Sequence, residues 1–590
     1  MRKLQISTTL LVCALSLTVI SGCKKELNGD VIIKNVSIVD VTNGEITENM
    51  DVIIFGDSIA SIQEHQNSSY NTSELVDGTD KYLIPGLWDM HTHTWWGYED
   101  FFPLLVANGV TGVREMFGDL RAIEKIRTEV KNGDVTGPMI YSGGPIVDGK
   151  PAMWPGSDEA DSPEKGREIV RQQKQAGADF IKVYSFLEKD VYMAIADECK
   201  KQGLKFSGHI PIKVTLEEAM DAGHHSIEHF YGILEFMSSR KQHFYDHLKG
   251  VINDPELNSY PDQQGFLAKT FDAKKLDSVV GILKGKDVWI SPTSTVNRSF
   301  ANINNPEFRD DARLKYMPDY AISNWDPKDD FRLKHATPED FENERQWYKK
   351  TLSVFKPMLD GGVRFLAGTD YPNPYTFPGF GIHDELQIFV EEAGFSPLEA
   401  LQTATINPAI YMQKESELGT VETGKLANLV VLDKNPLEDI NNTRSVHAVL
   451  LYGQYLAGTD LKEDLEKIAA HNSLPKIKDV LFEVVEKDGI EQAVARYHNL
   501  KESQPAAYNF KVGQLNSLGY QLLGMDKKEE AIAIFKLNTE VFPEDGNAYD
   551  SLGDAYAANN DTENAINAYQ QAVALGYTRS QGKMEAMEKK

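Results

Sequence analysis

His91-Thr92-His93 is the first place in the chain where residue type and spacing suggest chemistry. On a strand, side chains two apart share a face, so both imidazoles would point the same way. Four more metal-compatible residues lie in or close short apolar runs: Lys182 in IKVY, His209 after LKFSG, His229 in HSIEHF and Asp370 after VRFLAGT. Neutral imidazole and carboxylate suit Zn²⁺, and a catalytic zinc keeps one coordination position open for water. Singly, each has an ordinary explanation, as a hydrogen-bonded core histidine or an aspartate capping the next helix. Six such residues at the carboxyl ends of five strands point to a metal-dependent site.

Substrate determinants are less marked. Tyr184 shares the inward face with Lys182, and His383 lies in the loop after the last strand; either could bind a substrate oxygen or support the ligands from behind. Trp95, Trp96 and Tyr98 follow the histidine pair and could wall a pocket or pack outward. His224 and His225 precede the sixth-strand histidine by several residues and read as structural.

The elements that must position these groups are short apolar strands: 83–91, 109–116, 138–143, 179–184, 204–209, 225–230, 287–293 and 363–370. Between them lie segments such as 164–177 and 187–203, apolar at helical spacing and closed by Gly. Eight strands alternating with helices argue for an α/β chain built as a parallel (β/α)8 barrel, with a doubly wound open sheet as runner-up. Residues 293–341 lack a clean period and would follow the seventh strand, where a lid is plausible. β-rich runs flank the barrel at 31–41 and 51–62, and again at 426–433 and 446–456. Further on, Leu518-Gly519, Ala531 and Phe535 recur 34 positions later as Leu552-Gly553, Ala565 and Tyr569. That period resembles the tetratricopeptide helical hairpin, with an unrelated helical bundle as the alternative.

PGLWDMHTH (85–93) and AGTD (367–370) resemble the opening and closing strands of the amidohydrolase superfamily. IKVY, SGH, SIEHF and GIHDEL, followed by SPLEALQTATINPA, are most similar to its prolidase-like and imidazolonepropionase-like branch. The resemblance runs from about Val31 to Thr459 and implies a small β-sandwich built from both flanks. It implies two divalent metal ions, zinc being the expected one. His91, His93 and Asp370 would hold one ion, and His209 with His229 the other. Lys182 would bridge them as a carbamate, formed when a buried neutral amine adds carbon dioxide. A hydroxide shared by the metals would attack the scissile carbonyl, with Asp370 carrying its proton to the departing nitrogen.

The expected organisation is a lipoprotein signal peptide at 1–22, then a tether with the first part of the sandwich at 23–81. The barrel would occupy 82–415, the returning sandwich strands 416–461 and the helical repeats 464–590. Arg2 and Lys3 precede an apolar run that ends Ile20-Ser21-Gly22-Cys23, similar to a bacterial lipobox whose Cys23 is acylated, a plain secretory signal being the alternative. This places the protein, lipid-anchored, in a bacterial cell envelope. A net charge of −27 disfavours nucleic acid as a partner, and three Cys exclude a disulfide scaffold. The expected substrate is a small amide or dipeptide, with the repeats free to take a protein partner. Two alternatives remain: a single-metal deaminase on the same fold, and a non-catalytic envelope scaffold working through its repeats.

Overall fold

The computed structural model describes residues 26–577 and 580–588. The expected signal peptide and Cys23 lie outside the described residues. Among the described residues, no helix is long and apolar enough to cross a membrane.

Both flanks enter one sheet. Val31–Val39 pairs antiparallel with Ile46–Phe55, which pairs with Ser58–Glu64. The run 51–62, expected as one strand, turns at Gly56-Asp57, where Gly56 takes a φ of +56°. The run 446–456 is likewise a hairpin of Val446–Leu451 and Gln454–Ala457. Tyr82–Pro85 joins the flanks: it runs parallel to the first strand and antiparallel to Leu429–Leu432. The resulting eight-stranded sheet shares an apolar cluster that includes Ile33, Val52, Leu83, Val431 and Leu450.

Between the flanks lie the parallel strands β1 (Leu87–Thr92), β2 (Val110–Glu115), β3 (Met139–Ser142), β4 (Phe180–Val183), β5 (Lys205–Gly208), β6 (Ser226–Glu228), β7 (Trp289–Ser291) and β8 (Arg364–Phe365). The expected strand 83–91 therefore divides at Gly86, where a Cβ would stand 2.0 Å from Thr111 Oγ1. β1, β2 and β3 form one parallel sheet, and β4 to β8 run in chain order through a second. Isolated parallel bridges, Gly143 with Phe180 and Thr92 with Tyr371, link the two sheets. β1, β2, β4, β6 and β7 are buried at every position, as strands covered on both faces must be.

The helices cover these strands through apolar stripes. Leu120–Asn132 buries Leu120, Ile123, Ile126 and Val130; the Asp119 carboxylate caps its start and left-handed Gly133 ends it. The segment after β7 folds into short helices, Ser294–Asn302, Pro306–Arg309 and Asp319–Ile322, before the long helix Pro338–Asp360. It is tied to the loop after β8: Ser299 Oγ donates to Pro374 O (2.6 Å) and Trp325 Nε1 to Pro372 O (3.2 Å).

The chain ends in helical hairpins, among them Val512–Gly524 with Lys528–Val541 and Gly546–Ala558 with Thr562–Ala574. The 34-residue recurrence is one contact made twice. A Cβ on Gly519 would meet the Phe535 ring at 2.4 Å, and one on Gly553 the Tyr569 ring at 2.4 Å. The boundary expected at 461–464 falls inside the helix Gly458–Asn472. Leu461, Leu465 and Ile468 of that helix pack into the core around the parallel strands, whereas Leu481, Leu518 and Phe535 form a separate core.

Candidate active site

β1 carries His91, and His93 stands one residue past its end. Alternation holds: His91 Nε2 lies 3.4 Å and His93 Nε2 3.0 Å from Asp370 Oδ1. Ligand atoms of these three residues all lie within 4.8 Å of one another. Asp370 is delivered by residues that continue beyond β8 alongside β1, with Asp370 N donating to His91 O (2.8 Å). The glycine of AGTD permits this approach, since a Cβ on Gly368 would stand 2.8 Å from His91 Cβ.

His209 and His229 each follow their strand by one residue. Their ring centroids are 5.0 Å apart, and the His229 ring is 4.6 Å from that of His91. His229 Nδ1 lies 3.8 Å from Asp370 Oδ2. Lys182, on β4, is buried beside Gly208, whose Cβ would meet Val183 O at 2.1 Å and Lys182 Cδ at 3.0 Å. Its charge acts on both His91 and His209. The six residues singled out in the sequence therefore converge. Asp370, His229 and Thr293 have φ of +60°, +56° and +49°. Such conformations cost about 1–3 kcal/mol each and persist where surrounding bonds over-determine them.

Those bonds come from buried carboxylates that sequence reasoning missed. Glu228 Oε2 accepts from His91 Nδ1 (2.8 Å). Glu115 accepts from Thr94 N (2.5 Å) and Trp95 N (3.2 Å), fixing the loop after His93, and lies 3.8 Å from His93 Nδ1. Asp89 accepts from His91 N (3.2 Å), Thr369 N (3.0 Å) and Thr369 Oγ1 (2.6 Å), joining β1 to the Asp370 strand. Glu385 accepts from Ser294 N (2.8 Å) and Thr295 N (2.7 Å), and the adjoining Thr293 Oγ1 lies 2.7 Å from His229 Nδ1. Arg114 bonds to Met90 O, Ser226 Oγ, Tyr411 OH and both oxygens of Glu228. The available signal was charge inside buried strands, in GVREM and SIEHF, because unpaired charge is rarely buried.

Burial sets the protonation states. It pushes His91 and His209 well below the usual imidazole value, with the Lys182 charge adding to it, and takes His229 down to about 4. Burial also lowers the Lys182 amine to about 8. For Asp370, burial opposes ionisation, but His91, His229 and His93 together hold the carboxyl well below its usual range. The neutral imidazoles of His91, His209 and His229 with the ionised Asp370 form a donor set for a divalent cation.

His383 is not part of this group. Its Nδ1 meets Thr443 Oγ1 (2.9 Å) and its Nε2 meets Asn108 O (3.0 Å), so neither nitrogen is free for substrate, and burial lowers it to about 3. It ties the helix Phe380–Gln387 to the chain's returning flank. Tyr184 does reach the site, stacked on His209 with centroids 3.9 Å apart. Trp95 is buried, its Nε1 donating to Phe117 O (2.8 Å), while Trp96 is exposed. His224 bonds to Tyr192 OH and Gly208 O, and His225 to Asp287 O and Tyr411 O.

The sequence profile of the Amidohydrolase family matches residues 82–456, which span β1 to β8 and the returning flank. The chain belongs to the amidohydrolase family. That assignment points to a hydrolase of carbon–nitrogen bonds, and the family generally binds divalent metal ions. Ochratoxinase from Aspergillus niger is 22% identical over 474 residues, covering 69% of this chain and 82% of its own. Adenine deaminase from Mesorhizobium japonicum is 24% identical over 411 residues, covering 68% of this chain and 54% of its own. Among solved structures, a putative prolidase from Bifidobacterium longum aligns with a TM-score of 0.53 at 21% identity, covering 74% of this chain and 98% of that one.

The amidohydrolase site also passes a local test for metal. His209 Nδ1 meets Ser185 Oγ at 2.8 Å, but its buried Nε2 has no hydrogen-bond partner among the described residues. A buried imidazole nitrogen needs a partner, and a lone pair directed among these side chains suits a metal ion.

Proposed function

We propose that this protein hydrolyses an amide or related carbon–nitrogen bond in a small molecule, a dipeptide being the simplest candidate. The observation that carries this reading is the unpartnered His209 Nε2 beside neutral imidazoles and an ionised carboxylate. His91, His93 and Asp370 would hold one divalent ion, and His209 and His229 a second. Lys182, part neutral at a pKa of about 8, is suited to carboxylation as the group between them. When bound, zinc ions would supply Lewis acidity and an acidified water. Asp370 is placed to take a proton from the attacking water and return it to the leaving nitrogen. Glu228 and Thr293 hold His91 and His229 in one orientation, so the site is set before substrate arrives.

The bridges Gly143–Phe180 and Thr92–Tyr371 support reading the two parallel sheets as one closed eight-stranded barrel. The repeated glycine–aromatic contact supports a tetratricopeptide-like tail that could take a protein partner. The lipobox-like Cys23 supports a lipid anchor in a bacterial envelope.

A single-metal deaminase is the second reading, favoured by how tightly His91, His93 and Asp370 cluster. Metal counting on protein supplied with Zn²⁺ and bicarbonate separates the two, combined with a screen of dipeptides, N-acyl amino acids, lactams and aminopurines. Two ions per chain with amide hydrolysis supports the first reading. One ion with ammonia released from a purine supports the second. Full metal loading without turnover of any of these would remove both.

A further inference from the structure

Two aromatic paths lead from His209 to solvent. On one, Tyr184 stacks on the imidazole at 3.9 Å, its hydroxyl accepts from Trp154 Nε1 (2.8 Å), and Trp154 meets Phe331 edge to face at 5.7 Å. On the other, Tyr231 packs against the same imidazole at 4.6 Å, and its hydroxyl meets that of Tyr260 at 3.1 Å. Both paths end on rings left in water: Phe331 is 55% exposed and Tyr260 49%. An isolated exposed ring needs no explanation, but connected rings beginning on a candidate metal ligand do.

The wall is built to stay in place. Arg332 grips the Asp330 carboxylate on one side of Phe331 and donates to Asn373 Oδ1 (2.9 Å), three residues beyond Asp370. The Asp148 carboxylate accepts from Met153 N (3.0 Å) and Phe186 N (2.7 Å), fixing the loops that carry Trp154 and Tyr184. The carboxylates that orient the histidines lie elsewhere, with Glu115 near His93 and Glu228 behind His91. The His91 side of the ligand cluster is thus polar, and the His209 side is lined with aromatic rings that reach the surface. Sites that orient a ligand by a few polar groups and bind its bulk on aromatic side chains have this division.

We propose that the wall binds a bulky apolar group, so that the substrate is an amide carrying an aromatic or large apolar substituent beside the scissile bond. This rests on the hydrolase reading above and narrows it from small dipeptides to bulky amides. The test uses zinc-loaded full-length protein and matched pairs: N-acetyl-phenylalanine against N-acetyl-alanine, and N-(2-naphthoyl)-alanine against N-acetyl-alanine. kcat/KM should favour the aromatic member of at least one pair by about 10-fold or more, within the range apolar pockets achieve. In Phe331→Ala and Trp154→Leu that ratio should fall towards one. Phe331 is half exposed, so its removal leaves the core intact. Equal kcat/KM within both pairs, or a preference unchanged in both variants, overturns the proposal. Absence of any hydrolysis would count against the hydrolase reading instead, and the wall is then tested by calorimetric titration with uncharged 2-naphthamide. Binding about 10-fold weaker in Phe331→Ala than in the unaltered protein supports the wall; equal affinity, or no binding to either, overturns it.

Discussion

Glu228 Oε2 and His91 Nδ1 are 2.8 Å apart, and that one bond decides which nitrogen of His91 faces the site. A neutral imidazole donating from Nδ1 keeps its lone pair on Nε2, the atom 3.4 Å from Asp370. The carboxylate cannot swing away. Arg114 Nη2 donates to both of its oxygens, at 2.9 and 2.8 Å, and Ser226 Oγ to Oε1 at 2.5 Å. A charge on β6 thereby sets the tautomer of a residue on β1.

Glu228→Gln keeps the shape and removes the charge, so His91 Nδ1 faces an amide that can donate as well as accept, and Arg114 loses its counter-ion. Metal affinity should fall by about 10–100-fold, as for other residues that orient a ligand from behind. Chelator competition measures this, with circular dichroism as the check on folding. Unchanged affinity would reduce Glu228 to a packing role.

Lys182→Ala tests the bridge. The variant should retain at most one ion per chain and lose most turnover, and short carboxylic acids should restore part of it by supplying the missing oxygens. Elemental analysis with and without added formate or acetate reads both effects. Two bound ions at normal turnover would show that the lysine is not a bridging group.

Asp370→Asn removes the proton acceptor and also weakens a candidate metal donor, so turnover is read at saturating Zn²⁺ with metal content measured alongside. The side chain keeps its size, and the backbone bond from Asp370 N to His91 O is untouched. Turnover should drop by about 10²–10⁴-fold, the range for a lost general base. Near-normal turnover would take Asp370 out of the proton path.

The residues that converge were legible because alternation and strand-end position are encoded locally, as with His91 and His93. Their supports were not. Glu385 acts on His229 through Thr293, which lies 92 residues before it, and no local period carries such a contact. His383 failed for the same reason: its place in the loop after β8 suggested the pocket, but Thr443 and Asn108 claim both nitrogens. The flanking hairpins were read as single strands because β-branched residues continue up to the Gly56 turn, whose geometry outweighs the apolar pattern.

Glu344, on the helix Pro338–Asp360, is a buried carboxyl outside the metal-ligand group, and burial raises it to about 8 against a hydrogen bond from Gln264. A folded pKa above the unfolded value means that the folded chain holds the proton more tightly. Its contribution to stability is therefore full below about pH 4.5 and declines as pH rises to about 8. Glu344→Gln removes that dependence. Metal-free Tm measured from pH 5 to 8 should fall more steeply for the unaltered protein than for the variant. Parallel curves would show that Glu344 does not titrate in this window.

The tail is pinned to the region around the site rather than standing apart. Lys511 pairs with Asp100, and Lys476 Nζ lies 2.7 Å from Asp319 Oδ1. A cleft of about 890 Å³ between the two parts is bounded by Trp96 and Tyr320 on one side and Tyr520 and Tyr577 on the other. Where the chain is cut decides the outcome. Ending at Thr459 removes the helix whose Leu461, Leu465 and Ile468 complete the main core, so that protein should aggregate. Ending at Ser473 keeps this helix and removes hairpins whose core is their own apart from Tyr577, which packs on the main one. That protein should stay soluble, bind metal as the full chain does, and hydrolyse small amides. Gel filtration, metal content and turnover of the two truncations check each step. A soluble, metal-loaded chain ending at Ser473 without turnover would mean that the hairpins, through the cleft beside Trp96, contribute to the reaction itself.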